Sequence, residues 1–229
     1  MQKLIDIDFD YRKDSRCGDP DKDSTLLYEV LKEVFSKPLA NGEKLELKVG
    51  KVGSQLVLSH GLGDNLSCDR MCPHFGNDKT LKDLISPAEK DVLAYKVRTL
   101  GGHIVFPAHR KNGMTINQSR GFKSSISDRF DLTLECIKRF YDNSTSPLFE
   151  TLKRYEDFFA LFVDFKGYID FFLLEDFVND NYEVVFSLPF DDFKGNAIPN
   201  NIEAYKHYYN TIIALMDKRT KRMINALGI

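Results

Sequence analysis

Apolar residues recur at two distinct spacings along the chain, and the spacings divide it into elements. At the start, Ile5, Ile7 and Phe9 alternate with Asp6, Asp8 and Asp10, the period of two that turns alternate side chains to opposite faces of a strand. The stretch DSRCGDPDKDS that follows is dense in turn formers and reads as loop. Ser24 then stands in the capping position of a helix over 24–36, because Leu26, Leu27, Val30, Leu31, Val34 and Phe35 fall on one helical stripe. Pro38, Asn41 and Gly42 end it. Two short alternating runs, KLELKVG and GSQLVLSH, predict a hairpin with Lys51 and Val52 between the strands. Residues 61–77 are rich in Gly, Asn, Asp and Cys without periodicity and are expected to be loop.

Residues 80–99 read as a short helix, a break at Ser86-Pro87, and a longer helix that starts at the proline. Gly101-Gly102 stop it, and HIVFP is a short buried strand. Ile126, Phe130, Leu134, Ile137 and Tyr141 recur at helical spacing and predict a helix over 126–141. The aromatic-rich residues 146–178 read as two helices broken near Lys166-Gly167, EVVFSLPF as a further strand, and 201–227 as a last helix capped by Asn201. The class is therefore α+β and mainly α-helical, with short strands forming a small sheet packed against a helical bundle. No repeat and no Pro- or Ser-rich linker divides the chain, so residues 1–229 are expected to form a single domain.

Composition narrows the classes of function. Hydrophobic residues make up 42% and charged residues 29%, a globular balance that builds a core without disulfides or structural metal. Basic and acidic residues number 32 and 34, for a net charge of −2. That argues against coating nucleic acid through bulk positive charge, and leaves room for a local basic groove. The first residues hold no apolar leader and no run approaches ~18 uncharged apolar residues, so the expected location is the cytoplasm, with no membrane partner and free thiols.

Three segments carry candidate chemistry. Asp19, Asp21 and Asp23 alternate as ligands do in a calcium loop, but the sixth position from Asp19 is not glycine and Val30 takes the twelfth, where a bidentate Glu belongs. A solvated turn that caps the next helix fits better, and no metal is assigned. Cys68, Cys72 and His74 are zinc-ligand types within seven residues. They lack a second pair downstream, and free thiols in a loop fit better.

The third segment is FPAHRKNGMTINQSRGFKSSISDRFDLTLECIKR. Cationic residues beside glycines commonly meet phosphate, because Arg offers a bidentate fork and glycine lets the backbone approach. His109, Arg120 and Asp128 are the candidate catalytic residues, with His109 as acid or base because histidine is the side-chain type suited to proton transfer near neutral pH. Arg16, Arg110, Asn117 and Arg129 are the candidate binding residues. The structural alternative is that Arg120 braces the helix that follows it against HIVFP, that Glu135 and Arg139 pair at i,i+4, and that Asp128 and Asp131 serve that helix's N-terminus. The aromatic belt at 149–177 is assigned to packing, and Lys218, Arg219, Lys221 and Arg222 to the negative end of the last helix.

No P-loop, dinucleotide fingerprint, nucleophile elbow, zinc-protease or kinase signature is present. DSRCGDPDKDS, GGHIVFP, TINQSRGF, SDRFDLTLECIKRFY and DFKGYIDFFLLEDFV together resemble a family of prokaryotic proteins of unknown function. The resemblance covers most of the chain, from about Asp8 to the final helix, and implies one domain of bacterial type without transferring an activity. The residues themselves point first to a nucleotide- or nucleic-acid-directed protein that cleaves phosphodiesters, with no cofactor named. The rival is a non-catalytic interaction or regulatory protein that binds another protein.

Overall fold

The computed structural model describes residues 10, 20–72 and 85–228. The strand expected over Ile5–Phe9, Cys17 and Arg16 in the acidic loop, His74, and the short helix expected before residue 85 lie outside the described residues.

The first described elements are a helical turn α1 (Pro20–Asp23), where loop was expected, and helix α2 (Thr25–Phe35). Helix α2 buries Leu27, Val30, Leu31, Val34 and Phe35 of the predicted stripe together with Tyr28, and leaves Leu26 half-buried. Strands β1 (Lys48–Val52) and β2 (Gln55–Ser59) form the expected hairpin. Its turn sits two residues later than predicted, at Gly53-Ser54, since Val52 pairs with Gln55. Gly53 takes φ +61° there, a conformation that costs glycine nothing and that neither Lys51 nor Val52 adopts readily.

The larger correction lies in 61–77. Strand β3 (Leu66–Arg70) runs through what composition marked as loop. It buries only Leu66 and Cys68, a signal too short to register as periodicity. Its existence is owed to strand β4 (His103–Pro107), against which it pairs antiparallel from Leu66↔Pro107 to Arg70↔His103. The sheet order is β1-β2-β3-β4, and every pairing is antiparallel. Strand β4 is buried at every position, as the unbroken HIVFP run predicted.

Helix α3 (Pro87–Lys96) starts with a capping box between Ser86 and Glu89 and with proline in its first turn. Helix α4 (Ile116–Phe122) is a short element with its own capping box: Thr115 Oγ1 accepts from Gln118 N and Gln118 Oε1 accepts from Thr115 N. Helix α5 (Phe130–Tyr141) begins four residues after Ile126, which instead plugs the turn before it. The Glu135–Arg139 pair forms at 2.8 Å.

The aromatic belt breaks differently from expectation. It forms α6 (Phe149–Lys153), α7 (Glu156–Ala160) and α8 (Phe165–Phe172), so Lys166 and Gly167 lie inside a helix. Asp164 makes the boundary by accepting from Gly167 N at 2.7 Å, and a Cβ on Gly167 would strike the Phe162 carbonyl. The belt packs as assigned, with Phe162 in ring contact with Phe158, Tyr168, Phe171 and Phe172. The segment EVVFSLPF makes only one bridge, Val178↔Val184, and no strand. Its rings find each other instead: Phe186 stacks on Phe190 at 4.2 Å.

Helix α9 (Ile202–Ala226) is capped by Asn201, whose Oδ1 accepts from Ala204 N at 2.8 Å. Arg219, expected to serve the negative end of this helix, is fully buried. Its guanidinium donates to the carbonyls of Phe172, Gly101 and His103 and touches Met71 Sδ. It thereby joins α9 to the end of α8, to the 3₁₀ turn Leu100–Gly102, to β4 and to the end of β3. Gly101 lets α9 come this close, since a Cβ there would overlap the Met216 carbonyl. The buried residues from Leu27 to Met223 form one contiguous core cluster. Among the described residues, no helix is long and apolar enough to cross a membrane.

Candidate functional site

The polar residues that meet in space come from β3, α4 and the turn between α4 and α5. At their centre is Arg120, with none of its side chain exposed. Nε donates to Thr133 Oγ1 at 2.8 Å, Nη1 to Asp69 Oδ2 and the Arg70 carbonyl, and Nη2 to the Arg70 and Asp128 carbonyls. These five bonds occupy all five N–H donors of the guanidinium. Its plane also lies over the Phe106 ring, 5.7 Å from the centroid. Arg120 thus ties the start of α5 to β3, and meets HIVFP only through the Phe106 ring.

Around that hub stand three groups with surface access. Asp69 is held by Arg120 and by the Arg70 N–H, which donates to Oδ1 at 2.9 Å, and 27% of its side chain remains open. Burial pushes its carboxyl up to about 6, Arg120 opposes the rise, and Asp128 adds to it. Asp128 sits at φ +59° behind Ser127 at φ +43°. Two consecutive non-glycine residues in the left-handed region are costly and persist where the surroundings impose them. Here the Asp128 N–H donates to the Arg120 carbonyl and the Asp128 carbonyl accepts from Arg120. Its carboxylate rests against Gly121, where a Cβ would lie 3.1 Å from Oδ2, and makes no hydrogen bond or ion pair with any described residue. The half-buried Arg70 side chain is likewise uncommitted among the described residues.

The remaining sequence candidates are placed as follows. Arg129 is buried and grips Asp131 through two bonds of 3.1 and 2.7 Å, donates to the Ala197 carbonyl, and lies over Tyr208. Asp131 in turn accepts from Ser187 N at 2.9 Å. The pair fastens the segments at 187 and 197 to α5, and its charge is neutralised locally. His109 and Arg110 are exposed on the loop between β4 and α4, where the His109 carbonyl accepts from Tyr155 at 2.6 Å. Asn117 lies on α4 with its Oδ1 buried and unbonded among the described residues. Arg16 lies outside them.

Cys68 and Cys72 are buried free thiols, as is Cys136. Burial pushes the Cys72 thiol up to about 12. Among the described residues no three metal-ligating side chains converge.

Sequence reasoning missed Asp69 and Arg70 because they lie in the stretch read as loop. The one available signal was the alternation Leu66-Ser67-Cys68-Asp69, two apolar residues long.

Fold and site together define a mainly helical α+β protein with an arginine-centred carboxyl cluster at the junction of a small sheet and its helices. The chain belongs to a family of unknown function, DUF6994, whose match spans residues 5–223. No curated protein and no solved structure matches the chain.

Proposed function

We propose that the protein hydrolyses phosphate esters of the nucleotide or single-stranded nucleic-acid class at the Asp69–Arg70–Asp128 cluster. One observation carries this reading. An uncommitted guanidinium and an uncommitted carboxylate flank a carboxyl whose proton is held to about pH 6. Arg70 binds the phosphate oxygens. Asp128 accepts a proton from the attacking water, the bond from phosphorus to the leaving oxygen breaks, and Asp69 protonates that oxygen. Arg120, with its donors committed, positions Asp69 rather than touching substrate. Phe122, 81% exposed on α4 beside Gly121, offers a ring on which a base stacks, and Arg110 adds cationic surface on the loop before α4.

Labelled RNA, DNA and a mononucleotide panel, with and without Mg²⁺, provide the test. Asp69→Asn is expected to lower kcat by roughly 10²-fold or more, the usual contribution of a general acid, and Arg70→Met to raise KM. Activity in the wild type should decline above pH 6 as Asp69 loses its proton. Turnover or binding unchanged in both variants removes the proposal.

A second reading, a partner-binding protein, draws on the groove between α3 and α9, lined by Val92, Tyr205, Tyr209 and Ile213, where Val92 is 52% exposed. Intact hydrolysis data showing no turnover would shift weight to that groove.

A further inference from the structure

Asn-Gly occurs twice in the chain, at 41–42 and at 112–113. In this dipeptide the asparagine amide carbon can close a five-membered ring with the next backbone nitrogen, and glycine puts no side chain in the path of the attack. All four residues are exposed, so access to water does not separate the two copies. Their hydrogen bonding does.

Asn41 is held at both ends of its amide. Oδ1 accepts from Glu43 N at 3.0 Å, and Nδ2 donates to Glu43 Oε2 at 3.2 Å. The nucleophile beside it is occupied too, since Gly42 N donates to the Leu39 carbonyl at 3.0 Å. Asn112 lacks these restraints. Among the described residues, neither its side chain nor the Gly113 N–H makes a hydrogen bond.

A cation stands beside the unrestrained copy. The half-buried Arg154 guanidinium packs against Gly113, where a Cβ would lie 3.2 Å from Cζ and from Nη2. Nη2 donates to the Met114 carbonyl at 2.7 Å and Nη1 to the Glu150 carbonyl at 3.1 Å, which fixes the group in place. Its Nε is buried and has no hydrogen-bond partner among the described residues, a costly state for a charged donor.

We propose that Asn112-Gly113 is a self-modification site, where the chain converts Asn112 to aspartyl and isoaspartyl linkages and Arg154 favours the reaction. Gly113 N gives up its proton and attacks Asn112 Cγ. The new N–C bond closes a succinimide ring, and the bond from Cγ to Nδ2 breaks with release of ammonia. Water then adds to one of the two imide carbonyls and reopens the ring. One water enters and one ammonia leaves, with no change of oxidation state. The guanidinium favours the negative charge that develops as Gly113 N loses its proton, and the product carboxylate brings an acceptor to the loop. That loop, which carries Arg110 and Lys111, gains one negative charge whatever reaction the Asp69 cluster serves.

In the experiment the full folded chain is held at neutral pH in water enriched in ¹⁸O, and peptide mapping by mass spectrometry follows the heavy-oxygen product at both asparagines. Asn112 is expected to convert about tenfold faster than Asn41, the equivalent of the one hydrogen bond that Gly42 N has to break. In urea, where both loops lose their structure, the two rates should come within about twofold of each other. Arg154→Met should slow conversion at 112 by about two- to fivefold and leave Asn41 unchanged, while Arg154→Lys keeps most of the rate. Equal rates in the folded chain, or a preference for Asn112 that persists in urea, overturns the proposal. So does an Arg154→Met variant that converts as fast as the wild type. The mapping needs no turnover at the Asp69 cluster, so the two readings fail separately.

Discussion

Arg219→Met separates two opposing accounts of the buried arginine in α9. The side chain is fully buried, and none of the acceptors it contacts is a carboxylate: its charge is met by the carbonyl dipoles of Phe172, Gly101 and His103. Burial lowers its pKa to about 10, which still leaves it cationic at neutral pH. Removing the guanidinium deprives three buried carbonyls of a charged donor, at ~1–3 kcal/mol for each one left unsatisfied. Relief of the buried charge offsets several kcal/mol of that sum, and Met refills most of the volume. The expected net loss is about 2–4 kcal/mol. For a chain of this length each kcal/mol lowers Tm by about 2–4 °C, so the midpoint should drop by roughly 4–16 °C. Arg219→Lys is the companion variant. It keeps the charge, but a single ammonium does not span carbonyls on three elements, and it should lose stability too. Urea unfolding followed by far-UV circular dichroism measures both. A Met variant as stable as the wild type, or more so, would refute the reasoning and show that the cost of burying the charge outweighs its bonds.

Other expectations follow from the same packing. His103 is buried and its pKa is lowered to about 4 by burial, so between pH 4 and 6.5 the unfolded chain binds more protons than the folded one. Stability is lost as pH falls through that window, by at most about 3 kcal/mol, and urea midpoints of His103→Asn should lose this slope. Asp69, raised to about 6, acts in the opposite sense between pH 4 and 6, so Asp69→Asn should steepen the acid loss seen in the same titration. Gly101→Ala places a methyl against the Met216 carbonyl and Thr220 and should cost at least about 1–3 kcal/mol in thermal unfolding. Cys68, Cys72 and Cys136 are buried, and burial pushes the Cys72 and Cys136 thiols up to about 12. Mapping after maleimide treatment should find these three unmodified until denaturant is added.

The elements that announced themselves were those with an intact local signal. Helix α2 has its six-residue stripe, α9 its Asn201 cap, and β4 its unbroken apolar run, and each folds where its pattern lies. What escaped was decided by partners distant in the chain. Strand β3 is held by β4, some 35 residues on, and its own side chains carry little of the information. The break in the aromatic belt falls at Asp164 rather than Gly167 because a cap overrides glycine's weak helix preference. The charged side chains were harder still. Arg120, Arg129 and Arg219 look alike in the sequence as basic residues on helices, yet all three are interior, and only the geometry shows which acceptors surround them. Arg120, a candidate on its sequence neighbours alone, has Asp69 and the Arg70 carbonyl at its guanidinium, neither of which the sequence places near it.

The reach of Arg219 also constrains when the molecule is finished during its own synthesis. Its acceptors and contacts at residues 71, 101, 103 and 172 are all translated earlier, so a nascent chain holds the sheet edge and the end of α8 without the tie between them. Until α9 is translated, the carbonyls of Phe172, Gly101 and His103 lack the one guanidinium that joins them in the folded chain.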